Sequence, residues 1–331
     1  MSQIVESIKA KAKTLNKTVV LPEGEDARVV RAAAVAASEG LANVLLIGNE
    51  AQIKAQNPDV DLSKVTIIDP ATSEKTAVYA NLLYELRKAK GMTEEQAATL
   101  ALDPTHFAVL MLKAGDCDGL VSGACHSTAD TLRPGLQIVK TAPGVKLVSS
   151  CFVMIAPEDC EYCPEGAFVY GDCGLNMHPN AEELAYIAVS SADSAKNILG
   201  IEPRVAMLSF STKGSAKHDD VNKVVEATAF VKEFAPELSV DGELQFDAAL
   251  VPSVGASKAK GSTVAGKANV FIFPDLDAGN IGYKITERLG RFQAIGPLCQ
   301  GFAKPINDLS RGCKWEDIVV VIAITALQAA N

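Results

Sequence analysis

The feature that most constrains the fold of this 331-residue chain is a repeated alternation of short apolar runs with helix-like segments. The runs are rich in Val, Ile and Leu and almost continuously apolar, which is typical of parallel strands buried on both faces. A helical pattern follows each run, and this order favours a mainly parallel sheet covered by helices. The sequence therefore predicts an α/β protein. The first four runs are Thr18–Pro22, Val44–Gly48, Val65–Asp69 and Gly119–Gly123.

The alternation is interrupted near Ala142-Pro143-Gly144. Two strand-like runs follow, Lys146–Ile155 and Ala167–Leu175, without a full helix between them, which predicts a hairpin or an edge pair. Alternation then resumes until a second break near Ile295-Gly296-Pro297. The two breaks are candidate domain boundaries.

The net charge of −9 argues against broad binding of nucleic acid or of anionic membranes, because both need positive patches. No apolar run reaches the ~18 to 20 residues that a membrane span needs. The longest, Ile318–Ala330, is predicted to be a buried core helix. The segment Met1–Lys9 resembles an amphipathic helix rather than a secretion signal, so we expect a cytoplasmic location.

Eight cysteines in a chain of this length do not indicate a disulfide framework. Cys160-x-x-Cys163, Cys173 and His178 supply the ligand types of a structural zinc site. There is only one C-x-x-C pair, however, and Cys173 lies within an apolar strand-like run. We therefore expect no bound metal.

Several common motifs are absent from the sequence. There is no G-x-x-x-x-G-K-[ST] phosphate loop, no G-x-G-x-x-G dinucleotide fingerprint, no H-E-x-x-H and no G-x-S-x-G. The sequence therefore gives little support for the functions that these motifs carry, namely those of P-loop kinases, Rossmann dehydrogenases, zincins and α/β-hydrolases.

The segment Lys304–Asp317 carries the densest set of chemically useful side chains. Ser310, Arg311 and Asp317 surround a glycine turn ahead of an apolar helix. A hydroxyl, a bidentate cation and a carboxylate together suit acyl or phosphoryl transfer. The alternative is a polar loop that caps a helix.

Two other polar segments directly follow predicted strands. In Ser122–Pro134, Ser127 or Thr128 is expected to cap a helix whose start can receive an anion, with Arg133 about one turn inside. Such loops lie at the carboxyl ends of strands, where open α/β sheets bind ligands. Pro22–Arg28 is the second segment, and a salt bridge is the simplest explanation for Arg28.

Arg87 lies near the end of a long predicted helix, where a cation is favourable to the helix dipole without any function. Taken singly, each of these arginines has an adequate structural explanation.

Taken together, these segments resemble the phosphate acetyltransferase (phosphotransacetylase) family over essentially the whole chain. Phosphate butyryltransferases share part of the pattern. The shared segments are Leu21-Pro22-Glu23 with Asp26 and Arg28, Tyr84–Lys88, Ser127–Pro134, Tyr170–Asn176 and Pro305–Gly312.

The resemblance implies two α/β domains with mainly parallel sheets, of the isocitrate/isopropylmalate dehydrogenase-like kind, and an active-site cleft between them. The first domain would comprise residues 1–143 and 296–331, and the inserted second domain residues 144–295. The implied assembly is a homodimer.

The resemblance also implies reversible transfer of an acetyl group between coenzyme A and phosphate, by direct thiolate attack in a ternary complex. Coenzyme A is a substrate here, and no permanently bound cofactor is expected. Asp317 would take the thiol proton, while Ser310 and Arg311 would stabilise the developing negative charge. Arg28, Arg87 and Arg133, with Ser127 and Thr128 at the helix start, would engage coenzyme A and phosphate groups.

The proton transfer is energetically demanding. Transfer of a proton from an unperturbed thiol of pKa ~8.5 to an aspartate of pKa ~3.9 costs roughly 6 kcal/mol. Desolvation of the carboxylate combined with concerted transfer is the favoured solution.

Two alternatives belong to other functional classes. A metal- and NAD-dependent decarboxylating dehydrogenase of similar fold would need aspartates around a divalent ion, and Asp275 with Asp277 is the nearest pair. A strand-end turn explains that pair adequately. A non-catalytic regulatory domain is the second alternative, and the presence of Ser310, Arg311 and Asp317 argues against it.

Overall fold

The computed structural model describes residues 2–330, so that Met1 and Asn331 lie outside it. Eleven strands are found in this range, namely β1 (Thr18–Leu21), β2 (Asn43–Ile47), β3 (Val65–Ile68), β4 (Gly119–Ser122), β5 (Ser149–Ile155), β6 (Ala167–Gly171), β7 (Arg204–Leu208), β8 (Ser239–Leu244), β9 (Val270–Ile272), β10 (Gln293–Gln300) and β11 (Ile306–Asp308).

Thirteen α-helices accompany these strands within residues 2–330, namely α1 (Gln3–Lys13), α2 (Ala27–Glu39), α3 (Glu50–Gln56), α4 (Thr76–Arg87), α5 (Glu94–Leu100), α6 (Pro104–Ala114), α7 (Thr128–Ile138), α8 (Ala181–Ser194), α9 (Asp219–Phe234), α10 (Phe246–Leu250), α11 (Pro252–Lys258), α12 (Leu276–Arg288) and α13 (Trp315–Gln328). A 3₁₀ turn (Lys88–Lys90) extends α4, and a π-helical turn (Ala195–Leu199) extends α8.

The described residues form two compact units. One consists of Gln3–Pro143 and the segment that starts at Phe302, and the other is Gly144–Gly301. The sequence placed the second boundary at residue 296. The described units instead divide after Gly301, because Gly296 and Pro297 lie inside β10, which is part of the sheet of the second unit.

The first unit is built on a five-stranded sheet in the order β11-β4-β1-β2-β3, with every pair parallel. Helices α2 and α13 pack together against it, with α1 packed on α13, and α4, α6 and α7 form a second group. The apolar helix α13 is buried from Ile318 through Leu327, which confirms the predicted core helix. Asn307 on β11 donates to the Thr325 hydroxyl at 2.8 Å and so joins this strand to α13.

The second unit has a six-stranded sheet in the order β10-β5-β6-β9-β7-β8. The pairs β10/β5 and β5/β6 are antiparallel, and the other three pairs are parallel. The antiparallel β5/β6 pair confirms the hairpin predicted after Gly144. Aromatic residues such as Phe168, Tyr170 and Phe271 pack in the core of this unit.

The α/β class and the mainly parallel sheets are confirmed by this topology. None of the helices described here combines the length and the hydrophobicity needed to cross a membrane.

Candidate active site

Three loops leave neighbouring strands at one edge of the first unit's sheet. We name them loop A (residues 22–26, after β1), loop B (residues 123–127, after β4) and loop C (residues 309–314, after β11). These three strands are adjacent and parallel, so their carboxyl ends lie side by side. Open parallel sheets bind ligands at this edge. The structure thus brings together the three polar segments that follow strands.

Arg28 connects the three loops through its guanidinium group. Its Nε and Nη2 donate to the Asp26 carboxylate at 3.0 and 2.7 Å, and Nη2 also donates to the Ala124 carbonyl at 2.7 Å. Nη1 donates to the carbonyl oxygens of Arg311 and Cys313 at 2.8 and 3.0 Å. All five N–H groups are therefore used. Direct anion binding by Arg28 stays a prediction, and it would require one of these bonds to break.

Loop C presents Ser310 and Arg311 as exposed side chains. The Ser310 hydroxyl oxygen accepts from the Gly312 N–H at 3.3 Å, a bond that does not use the hydroxyl proton. The Arg311 guanidinium has no ion pair or hydrogen bond to any residue between 2 and 330, although its carbonyl oxygen is held by Arg28. The backbone of the loop is fixed while the cation remains available to a ligand.

Asp317 lies in the first turn of α13. One of its carboxylate oxygens accepts from the Lys314 N–H at 2.9 Å and closes a capping interaction at the helix start. The carboxylate is half-buried and belongs to the helix that directly follows loop C. Its second oxygen can accept a proton without the loss of that cap.

Loop B ends at the start of α7. Ser127 is the N-cap: its hydroxyl oxygen accepts from the Asp130 N–H at 3.2 Å, which confirms the predicted cap. The Thr128 hydroxyl donates to Asp308 Oδ2 at 2.6 Å and ties α7 to the end of β11. Burial raises the pKa of Asp308 to about 6 despite the opposing effect of the Thr128 hydrogen bond.

Gly123 begins loop B with a φ of +108°, a backbone conformation that favours glycine. A Cβ at this position would lie 2.2 Å from Asp308 Oδ1. Glycine is therefore required for both its conformation and its lack of a side chain.

Glu23 in loop A is fully buried and holds loop B in place. Its carboxylate accepts from the backbone N–H groups of Gly123, Ala124, Cys125 and His126 at 2.9 to 3.2 Å. The Nδ1 atom of His126 lies 2.8 Å from the same carboxylate. Burial alone would raise the pKa of Glu23, but these hydrogen bonds outweigh it and lower the pKa.

Arg87 and Arg133 have fewer contacts. Arg87 ends α4, where its Nε is buried without a hydrogen-bond partner in the described part of the chain. Arg133 is exposed on α7. Within residues 2–330, no hydrogen bond or ion pair joins either guanidinium to loop A, B or C. Participation of Arg87 and Arg133 in one site with these loops therefore stays a prediction.

Four residues that the dehydrogenase alternative or a zinc site would use have structural contacts in the second unit. Asp275 caps α12 by accepting from the Ala278 N–H at 2.9 Å. Cys163 and Cys173 are buried in an apolar core with Cys160 packed against it. Burial raises the pKa of the Cys163 thiol to about 12 and that of Cys173 well above its usual range.

Sequence reasoning missed Glu23, Cys125, His126 and Asp308 as members of the loop cluster. Glu23 and Asp308 are carboxylates at or just after the end of a buried strand. That position was the available signal, because a carboxylate there must find partners among the neighbouring loops.

The chain is similar to known proteins of one family over nearly its whole length. Residues 3–326 match the family described as phosphate acetyl/butaryl transferase. A phosphate acetyltransferase of Acetivibrio thermocellus is 58% identical over 325 residues, which cover 98% of each chain.

Solved structures are also similar over nearly the whole chain. The EutD phosphotransacetylase from Staphylococcus aureus is 47% identical with a TM-score of 0.91, and the match covers 98% of both chains. A phosphotransacetylase from Streptococcus pyogenes is 46% identical with a TM-score of 0.93, and the match covers 100% of this chain and 99% of the other. The chain belongs to the phosphate acetyl/butaryl transferase family.

Proposed function

We propose that this chain is a phosphate acetyltransferase that reversibly transfers an acetyl group between coenzyme A and phosphate. Relatives named for this activity are 58%, 56% and 55% identical over 98% of the chain. The observation on the molecule that carries the proposal is loop C: Arg311 has a fixed backbone and a guanidinium without a partner among residues 2–330, and it lies six residues ahead of Asp317. A cation and a carboxylate so placed suit acyl transfer to and from phosphate.

In the proposed mechanism, Asp317 accepts the thiol proton of coenzyme A as the sulfur attacks the acetyl carbonyl of acetyl phosphate. The C–S bond forms, the C–O bond to phosphate breaks, and phosphate leaves with the electron pair. Ser310 and Arg311 stabilise the negative charge on the carbonyl and phosphate oxygens. Because full proton transfer between unperturbed groups costs roughly 6 kcal/mol, proton transfer accompanies attack.

Binding of the remaining anionic groups is assigned to three positions. Arg87 is assigned this role because its guanidinium is half-buried and its Nε has no partner among residues 2–330, which favours an anionic ligand. Arg133 adds an exposed cation on α7, and the start of that helix at Ser127 and Thr128 is a favourable position for an anion.

Replacement of Asp317 by Asn tests the proposed base. The amide oxygen preserves the cap to Lys314 but cannot take a proton at neutral pH. We expect the turnover number to fall by about 10²–10⁴-fold with little change in the KM for coenzyme A. Steady-state thioester formation measures both constants.

The matched control is Glu316→Gln, which removes an exposed carboxylate from the same helical turn. It should retain wild-type turnover. An unchanged turnover number in Asp317→Asn would exclude Asp317 as the base.

The substrates in this proposal are acetyl-CoA or coenzyme A and phosphate or acetyl phosphate, without a resident cofactor and in the cytoplasm. We also propose a homodimer. Support comes from α12 of the second unit, where Ile281, Ile285 and the following Leu289 are exposed at four-residue spacing. An apolar stripe of this kind is typical of a protein interface.

A further inference from the structure

The contact between loops A and B brings three different metal-ligand types together. Glu23 Oε1, Cys125 Sγ and His126 Nδ1 all lie within 4.8 Å of one another. Glu25 adds a second carboxylate, with its Oε1 at 3.4 Å from the Cys125 sulfur. We propose that Glu23, Cys125 and His126 bind a thiophilic divalent cation of the zinc class, with the Glu25 carboxylate beside the thiol as a second negative charge.

The distances between the ligand atoms support tetrahedral coordination. With Zn–S bonds near 2.3 Å and Zn–N or Zn–O bonds near 2.0 Å, tetrahedral geometry separates sulfur from its neighbours by about 3.5 Å and nitrogen from oxygen by about 3.3 Å. Cys125 Sγ lies 3.5 Å from His126 Nδ1 and 3.4 Å from Glu23 Oε1. His126 Nδ1 and Glu23 Oε1 are 2.8 Å apart, so replacing the shared proton by a metal opens that pair by about 0.5 Å.

The surroundings of the cluster fix its first ligand. Backbone N–H groups of loop B hold the Glu23 carboxylate in one orientation, as outer partners do for ligands in metal proteins. Arg28 is the nearby cation, and its charge is neutralised by Asp26 at 2.7 Å. The cluster therefore carries an excess of negative charge, which comes from Glu23 and Glu25.

The ligand types determine which metal ion the cluster favours, and its exposure allows that ion to enter from solvent. A thiolate, an imidazole and carboxylates together suit zinc, whereas magnesium and calcium prefer oxygen ligands alone. Cys125 and Glu25 are exposed, so an ion from solvent can reach the cluster. Binding releases the thiol proton of Cys125 to solvent and requires His126 as the neutral imidazole with its one ring proton on Nε2, so that Nδ1 is free to bind the metal.

Titration of the reduced wild-type protein with Co²⁺, a spectroscopic substitute for zinc, tests the proposal without reference to catalysis. We expect a thiolate-to-cobalt charge-transfer band and the intense visible bands of tetrahedral cobalt, both displaced by Zn²⁺. Cys125→Ser should lose the charge-transfer band, and His126→Gln should weaken metal binding by at least about tenfold, since loss of even an outer partner costs that much.

Cys160→Ser is the matched control, because Cys160 is a partly exposed cysteine outside the cluster and belongs to the Cys160/Cys163 pair. It should bind cobalt as the wild type does. The proposal is overturned if the wild type shows no charge-transfer band, if Cys125→Ser keeps it, or if Cys160→Ser loses it.

A thermal unfolding measurement adds a second readout and shows that each variant is folded before metal is added. Zn²⁺ should raise the Tm of the wild type, because a ligand that binds the folded state stabilises it. Mg²⁺ should not. An equal Zn²⁺ effect on wild type and Cys125→Ser would contradict the assignment.

Discussion

At the scale of single residues, three carboxylates near loops A, B and C have three different environments. Glu23 is buried but receives several N–H groups, which lower its pKa. Asp308 is buried with fewer donors, and its pKa rises to about 6. Asp317 is half-buried and caps a helix. The sequence shows only an acidic side chain at each position, because the number of donors that reach a carboxylate depends on the neighbouring loops.

The raised pKa of Asp308 predicts a particular pH dependence of stability. The folded protein holds this proton more tightly than the unfolded chain, so the contribution of Asp308 to stability falls as pH rises from about 4 through about 6. Asp308→Asn does not titrate, and its amide oxygen can still accept from Thr128.

Unfolding by denaturant at pH 4.5 and pH 7.5 measures this effect. The unfolding free energy of Asp308→Asn relative to wild type should increase by about 2 kcal/mol at the higher pH. A relative stability that is the same at both pH values, or that decreases, would contradict a raised pKa.

At the scale of elements, the Arg28 guanidinium joins loops A, B and C and thereby fixes the backbone of loop C. Arg28→Lys retains the charge, but the ammonium group of lysine cannot make the five hydrogen bonds that the planar guanidinium makes. We expect the unfolding free energy to fall by about 1–2 kcal/mol and the turnover number to fall as well, because loop C becomes less well ordered.

Thermal unfolding and steady-state kinetics of Arg28→Lys check this expectation. Arg31→Lys is the control on the same helix: its guanidinium stacks on Trp315 at 4.6 Å, and its loss should cost less. A variant of Arg28 with wild-type stability and only a raised KM for coenzyme A would instead indicate direct anion binding.

Elements were predictable where their patterns were regular. Strands β1 to β4 are short apolar runs bounded by polar or glycine residues, and their positions were correct. Strand β10 was taken for a break because Gly296 and Pro297 interrupt it, whereas the structure accommodates them at an irregularity between Ile295 and Leu298. Strand β11 was missed because two of its three residues, Asn307 and Asp308, are polar. They are buried because α7 and α13 supply their hydrogen-bond partners.

At the scale of the whole molecule, each unit has its own sheet and core, and the exposed apolar stripe on α12 belongs to the second. If this stripe forms the proposed homodimer, the double substitution Ile281→Lys with Ile285→Lys should convert dimers to monomers, because like charges replace apolar contacts.

Light scattering coupled to size-exclusion chromatography measures the mass of each species. Val78→Lys on α4 is the control, since Val78 is similarly exposed in the first unit. A wild-type protein that elutes as a monomer would refute the homodimer. A double variant that remains a dimer would place the interface elsewhere.

The most direct test of the proposed function is thioester formation from coenzyme A with acetyl phosphate and with butyryl phosphate. The wild type should form acetyl-CoA with the higher kcat/KM, and Arg311→Ala should lose most of that activity because the exposed cation of loop C is gone. Preference for butyryl phosphate would make the chain a phosphate butyryltransferase, and the absence of thioester from either substrate would contradict the function proposed for this molecule.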